Sequence, residues 1–163
     1  MDAVKKHLIR AGNANNLPAL LSWRHPHGGA TALYVACEFG HLEVAEILLQ
    51  AGAPPDQPRD DGATPLYKAC QDGGKLDIAR LLLKHGAKAD QIDTAGMTPL
   101  WVACHQGKTE LAGLLLDANA DPKRRVQGWS PLDLARRDKR QDLIKIILDH
   151  MPPEEAQARA PAV

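Results

Sequence analysis

The sequence predicts an all-α fold, a solenoid of stacked helix pairs joined by hairpin-like loops, and three observations predict it. A seven-residue phrase is written four times: TALYVAC from Thr31, TPLYKAC from Thr64, TPLWVAC from Thr98 and a diverged SPLDLAR from Ser130. The anchors lie 33, 34 and 32 residues apart, a period at which one supersecondary unit is copied and stacked. Aromatic residues make up only 4% of the chain. Leu, Ala, Ile and Val must therefore fill the core, which favours close-packed helices over a β-sandwich.

Each part of the unit has a local physical reason. A Gly stands two residues before every anchor, at Gly29, Gly62, Gly96 and Gly128. The anchor Thr or Ser is a good N-cap, and Pro65, Pro99 and Pro131 follow it at the first helical position, where a missing N–H costs nothing. A short first helix then ends near Gly40, near Gly73–Gly74 or near Gly107. The second helix is more apolar, with stripes Val44–Ile47–Leu48, Ile78–Leu81–Leu82, Leu111–Leu114–Leu115 and Leu143–Ile146–Ile147. Steps of three and four residues place each stripe on one helical face. Gly52, Gly86 and Asn119 stop it, being residue types that adopt left-handed geometry at a helix C-terminus. One such pair has an apolar face that only a stacked neighbour can cover.

The segments TALYVACEFGHLEVAEILLQAGA, TPLYKACQDGGKLDIARLLLKHGA and TPLWVACHQGKTELAGLLLDANA resemble the ankyrin repeat. The family pattern runs T-P-L-H-x-A-A, then G-H-x-E-V, then L-L-L-x-x-G-A. By this resemblance, repeats occupy 28–59, 60–93, 94–125 and 126–151. Residues 1–27, with IRAGNANNLPALL, are expected to form a degenerate N-terminal helix pair, and 152–163 a disordered tail. The fourth unit has Asp133, Arg136, Lys139 and Arg140 where inner copies are apolar, small or Gly, and is expected to present them on the polar outer face of a C-terminal cap.

Residues that look chemical have structural explanations. Cys37, Cys70 and Cys104 share one slot in successive units, and stacked helices about 8–10 Å apart hold them beyond the reach of a shared metal ion or a disulfide. They are expected to be reduced, unlinked and buried. His25 and His27 form a pair without a nearby carboxylate or Cys in sequence. GGKLD at Gly73 lacks the earlier Gly and the hydroxyl residue of a phosphate loop. There is no HExxH or GxSxG, and Phe39, the sole Phe, follows Glu38 and not the Asp of a kinase-type DFG. Neither an enzyme nor a cofactor or metal site is expected.

Composition narrows the partners. The formal net charge is zero, so no global field draws the chain to nucleic acid or an anionic membrane. No apolar run approaches the ~20 residues of a bilayer span, and MDAVKKHLIR lacks a signal-peptide core. Three cysteines without a framework spacing suit a reducing compartment. A monomer in the cytoplasm is expected, with the nucleus as the alternative. Lys123–Arg125 and Arg136–Arg140 resemble a bipartite import signal, but the spacer belongs to the folded cap.

The resemblance implies protein or peptide binding through hairpin tips and the exposed ends of the first helices, which border a concave groove. By position the tips supply His27, Ala30, Asp60, Asp61, Ala63, Thr94, Met97, Val126, Gln127 and Trp129. The first helices supply Glu38, Phe39, Gln71, Asp72, His105, Gln106, Arg137 and Asp138. Phe39, Met97 and Trp129 stand out as anchors in a polar set. The expected binding residues are Phe39, Asp60, Asp61, Asp72, Met97, Trp101, His105, Trp129 and Arg137. Tyr34, Tyr67 and Trp101 replace the family's His and stand either as a ladder on the groove edge or, preferably, as struts between repeats. Trp129 either borders a recess with Met97 or covers the core of the cap. An alternative role is a regulatory module that inhibits or targets a partner enzyme.

Overall fold

A computed structural model describes residues 17–71 and 73–153. Among these residues there are nine helices: α1 Leu17–Ser22, α2 Ala32–Phe39, α3 Leu42–Gln50, α4 Pro65–Cys70, α5 Leu76–Lys84, α6 Pro99–Gln106, α7 Thr109–Asp117, α8 Pro131–Arg137 and α9 Gln141–Asp149. The only extended pairing among them is two isolated bridges, Arg24 with Thr31 and Val126 with Trp129. Helices α2, α4, α6 and α8 pack in series as one layer, α3, α5, α7 and α9 as a second, and each pair packs on itself. This is the solenoid that the repeated phrase predicts. Of the expected N-terminal pair, residues 1–16 lie outside the described residues, as do 154–163 of the expected tail.

The caps form as the sequence implies. Thr31, Thr64, Thr98 and Ser130 are extended, and each hydroxyl accepts the backbone N–H three residues on. Thr64, Thr98 and Ser130 are buried, so these acceptors satisfy amides that water does not reach. At the far end of the second helices the chain turns through Gly52, Gly86 and Asn119, with φ of 91°, 86° and 63°. The amides of Ala53, Ala87 and Ala120 then bond back to Leu48, Leu82 and Leu115 at 2.9–3.0 Å, closing each helix.

The anchor spacings have separate causes. The 34-residue step contains one extra Gly in the α4–α5 turn, where Gly73 and Gly74 both have positive φ. The 32-residue step comes from the tip of the fourth hairpin. Arg59 bonds to Ala63 and Asp93 to Met97 across three intervening residues, whereas Val126 bonds reciprocally to Trp129 across two.

One core runs along the stack through Leu33, Leu66, Leu100 and Leu132 of the first helices and Leu48, Leu82, Leu115 and Ile147 of the second. The apolar stripe is shifted from its expected line. Ile47 is 53% exposed, and Leu81, Leu114 and Ile146 are half-buried. Ala45, Ala79 and Ala112 take the inner positions and are fully buried. A methyl group there lets neighbouring helices approach, and the bulkier residue beside it is turned outward. The cap residues differ too. Asp133 closes a capping box with Ser130, and the Arg140 guanidinium reaches back to the third pair, donating from Nη1 to the Cys104 carbonyl at 3.4 Å. Only part of the charge expected on the outer face is therefore there, because the orphan carbonyls of α6 and the amides of α8 recruit it.

Candidate interaction surface

The aromatic residues at the start of the first helices are struts. Tyr34 and Tyr67 are 2% and 5% exposed. Each unit's aromatic side chain reaches the next hairpin: Tyr34 bonds to the guanidinium of Arg59, which lies over its ring at 5.5 Å. The Tyr67 hydroxyl meets Met97 Sδ at 3.9 Å and the Asp93 carboxylate. The Trp101 indole N–H donates to the Trp129 carbonyl at 3.0 Å. Burial pushes both tyrosine hydroxyls above their ordinary range, so they act as neutral hydrogen-bonding tips.

Backbone bonds join the first three hairpins tip to tip, from the Asp60 amide to Gly28 and from the Thr94 amide to the Asp61 carbonyl, at 3.1 and 2.9 Å. At Gly62 a side chain has no room, since a Cβ would lie 3.0 Å from the Asp93 and Thr94 backbone. The loops after the second helices are joined as well. Asp56 accepts the Lys88 amide, and Asp90 the Asp121 amide, both at 2.9 Å. These two aspartates occupy equivalent places one unit apart, a recurrence that was available in the sequence but is masked by its Pro-rich surroundings.

The tips and first-helix ends thus form one braced surface, and the expected binding residues fall on it unevenly. The tip positions Ala30, Ala63 and Val126 are buried and present little to a partner; Ala30 and Ala63 pack in one cluster with Tyr34 and Tyr67. Asp60 and Asp61 are exposed but engaged, with Arg24 and Arg59 respectively, each at 3.7 Å. Asp61 Oδ1 also accepts the Ala63 amide. Phe39 is 52% exposed and stacks on His41, in the first unit, while Trp129 lies in the fourth. Asp72 lies outside the described residues.

Two hollows lie on this surface. One, of about 390 Å³, is lined by Tyr67, Met97, Trp101, His105 and Gln127. Trp101 and His105 stack there with centroids 5.2 Å apart and planes 10° from parallel. The other, of about 560 Å³, is lined by Arg125, Trp129, Asp133, Arg136 and Arg137. Met97 and Trp129 therefore border different hollows, not the single recess the graded row of side chains suggests. Trp101 lines the first of them, and its N–H bonds to the Trp129 carbonyl. Trp129 itself is 44% exposed, with Arg137 over its ring at 5.5 Å. It belongs to neither buried cluster, so it does not cover the core of the cap. The Arg137 guanidinium, hydrogen-bonded to Asp138, holds that carboxyl below its ordinary range.

The cysteines are free and fully buried. Burial pushes the thiols of Cys37 and Cys104 up to about 12, and Cys70 is raised as well. They are small core residues with little thiolate. Among the described residues no group of three or more His, Cys, Asp or Glu is placed to hold a metal ion, and no helix is long and apolar enough to cross a membrane.

Comparison with known proteins bears on the whole surface. The curated relatives it matches include ARF GTPase-activating protein GIT1 of Homo sapiens, Mus musculus and Rattus norvegicus, each 38% identical over 71 residues, which is 40% of this chain and 9% of the relative. The family described as ankyrin repeats (3 copies) matches residues 1–93 and 74–158. Such repeats are protein-interaction modules, and with a match over more than half of its length the chain belongs to the ankyrin-repeat family.

Proposed function

We propose that the chain binds a partner protein or peptide across the surface formed by its hairpin tips and first-helix ends. The observation that carries this is Trp129: a large aromatic held 44% exposed by a carbonyl bond and a guanidinium, outside the core. A rigid aromatic of this kind supplies contact area at low entropic cost. Around it, Met97, Trp101, His105 and Arg137 offer further contacts, with Phe39, Asp60 and Asp61 toward the first unit. The chain acts as a scaffold, without catalysis, as a monomer in the cytoplasm. ARF GTPase activation is named for relatives of whose length this chain covers 9%, and the role proposed for this chain is binding alone.

Photo-crosslinking tests the reading. A crosslinking group placed at position 39, 97 or 129 is expected to trap a partner in cell lysate, and the same group at Ile47 or Lys84 on the second helices is expected not to. Equal trapping from the second helices would overturn it.

A further inference from the structure

Charge is distributed along this chain far from evenly. Residues 123–140 hold seven basic side chains and only two acidic ones, Asp133 and Asp138, on a chain of zero formal net charge. Three of the arginines, Arg125, Arg136 and Arg137, converge with Trp129 on one hollow of about 560 Å³. Their partners inside the fold do not exhaust them. Arg125 donates to the Gly128 carbonyl and pairs with Asp133 at 3.1 Å. Arg137 uses Nε and Nη2 on Asp138, which leaves Nη1. Arg136 is the outlier, since its Nη2 is withdrawn from water and meets no hydrogen-bond acceptor among the described residues. A guanidinium nitrogen so placed loses hydration without recompense, and a carboxylate in the hollow that Arg136 lines would offset the guanidinium charge without touching Nη2 itself.

We propose that this hollow is the docking point for an acidic segment of a partner protein, in which a Glu or Asp carboxylate meets Arg136 and Arg137 while an adjacent apolar side chain lies against Trp129. The proposal rests on the preceding reading of the surface and adds the chemistry of the partner. Guanidinium forks match a carboxylate edge to edge, and the exposed indole supplies the apolar contact. An acidic peptide fits better than a nucleic acid. One face of the Trp129 ring, where a base would stack, is already taken by Arg137.

The full chain, titrated with a labelled peptide of alternating Glu and Leu, its Gln–Leu counterpart and single-stranded oligothymidine, tests this through fluorescence anisotropy. Backbone-amide and indole ¹⁵N–¹H signals together report the place: Trp23 lies before the first full unit, while the Trp101 indole, bonded to the Trp129 carbonyl, reports with Trp129. The Glu–Leu peptide is expected to bind, to move the Trp129 signal, and to bind at least about tenfold more tightly than the Gln–Leu peptide, with the difference shrinking as salt rises. Arg136→Gln and Arg137→Gln are each expected to weaken it about tenfold, and Lys84→Gln to leave it unchanged. Arg137 is exposed, so its variant reads the site even if Arg136→Gln disturbs the fold. Equal affinity for the Gln–Leu peptide, no binding of the Glu–Leu peptide, or tighter binding of oligothymidine at Trp129 would each overturn the proposal. Shifts confined to Trp23 and the Phe39 region would overturn it while leaving the shared surface intact. Shifts confined to the second helices would remove both.

Discussion

The third and fourth hairpins do the same job with different parts. The third spans Asp93 to Met97, and the Asp93 carboxylate accepts the amides of Ala95 and Met97 at 2.9 and 2.8 Å. Its tip bonds back to the second hairpin, and Met97 packs half-buried against Tyr67. The fourth is one residue shorter, with Gln127 and Gly128 both left-handed at φ of 51° and 84°, the geometry of a tight two-residue hairpin. It has no carboxylate in the turn, and a single indole bond from Trp101 ties its carbonyl to the third unit. The residue in front of the N-cap is consequently an exposed Trp129 in place of a packed Met97. The difference teaches that this surface becomes available where the repeat departs from its own pattern, while the core beneath stays uniform.

That uniformity can be broken first. Leu100 and Leu132 fill equivalent slots below the two hairpins and are both fully buried. Leu100→Ala and Leu132→Ala are each expected to cost about 2–5 kcal/mol in denaturant melts. A much smaller cost for Leu132→Ala would mean that the core loosens with the tip. Next in size is Asp93→Ala, which frees two amides and removes the acceptor beside Tyr67. It should cost about 1–3 kcal/mol. No side chain does this work in the fourth hairpin, so Gln127→Ala should fall well short of that.

Smaller changes sharpen the contrast. Lys139 holds φ of 56° at the end of α8, where Gly40 and Gly107 stand in inner units at 76° and 70°. Lys139→Gly removes left-handed strain at some entropic cost and is expected to raise stability by about 0.5–1 kcal/mol. Gly107→Ala should do the reverse, because a Cβ there would strike the Arg140 guanidinium. The smallest expected effect depends on pH. His150 bonds to the Ile146 carbonyl at 2.8 Å and to Asp117 of the neighbouring unit at 3.1 Å. The Ile146 carbonyl first, then the Asp117 carboxylate, raise its pKa above 6.5. A pKa raised on folding contributes stability below the unfolded value and loses it as pH rises through the folded one. Wild-type melting temperature should therefore drop slightly more than that of His150→Gln on going from acid to mildly alkaline buffer. Parallel curves would show that this link contributes nothing.

The sequence by itself determined the unit and its punctuation. Thr and Ser before Pro, Gly or Asn after an apolar run, and the 32–34-residue period are local instructions, each acting within a few residues of chain, and they reappear as caps, turns and stacked pairs. The proposed interaction surface was legible only in outline, through the exposed character of Phe39 and Trp129. Tertiary structure decided the rest, because it depends on which unit faces which. It turned Tyr34, Tyr67 and Trp101 into struts, buried Ala30, Ala63 and Val126, and set Ile47 outside its stripe. It divided the expected recess into two hollows, one bordered by Met97 and the other by Trp129. It also gathered Arg125, Arg136 and Arg137, which lie up to 12 residues apart in the chain, into one hollow with Trp129. Local chemistry writes the repeat; contacts between successive units choose which of its side chains remain free.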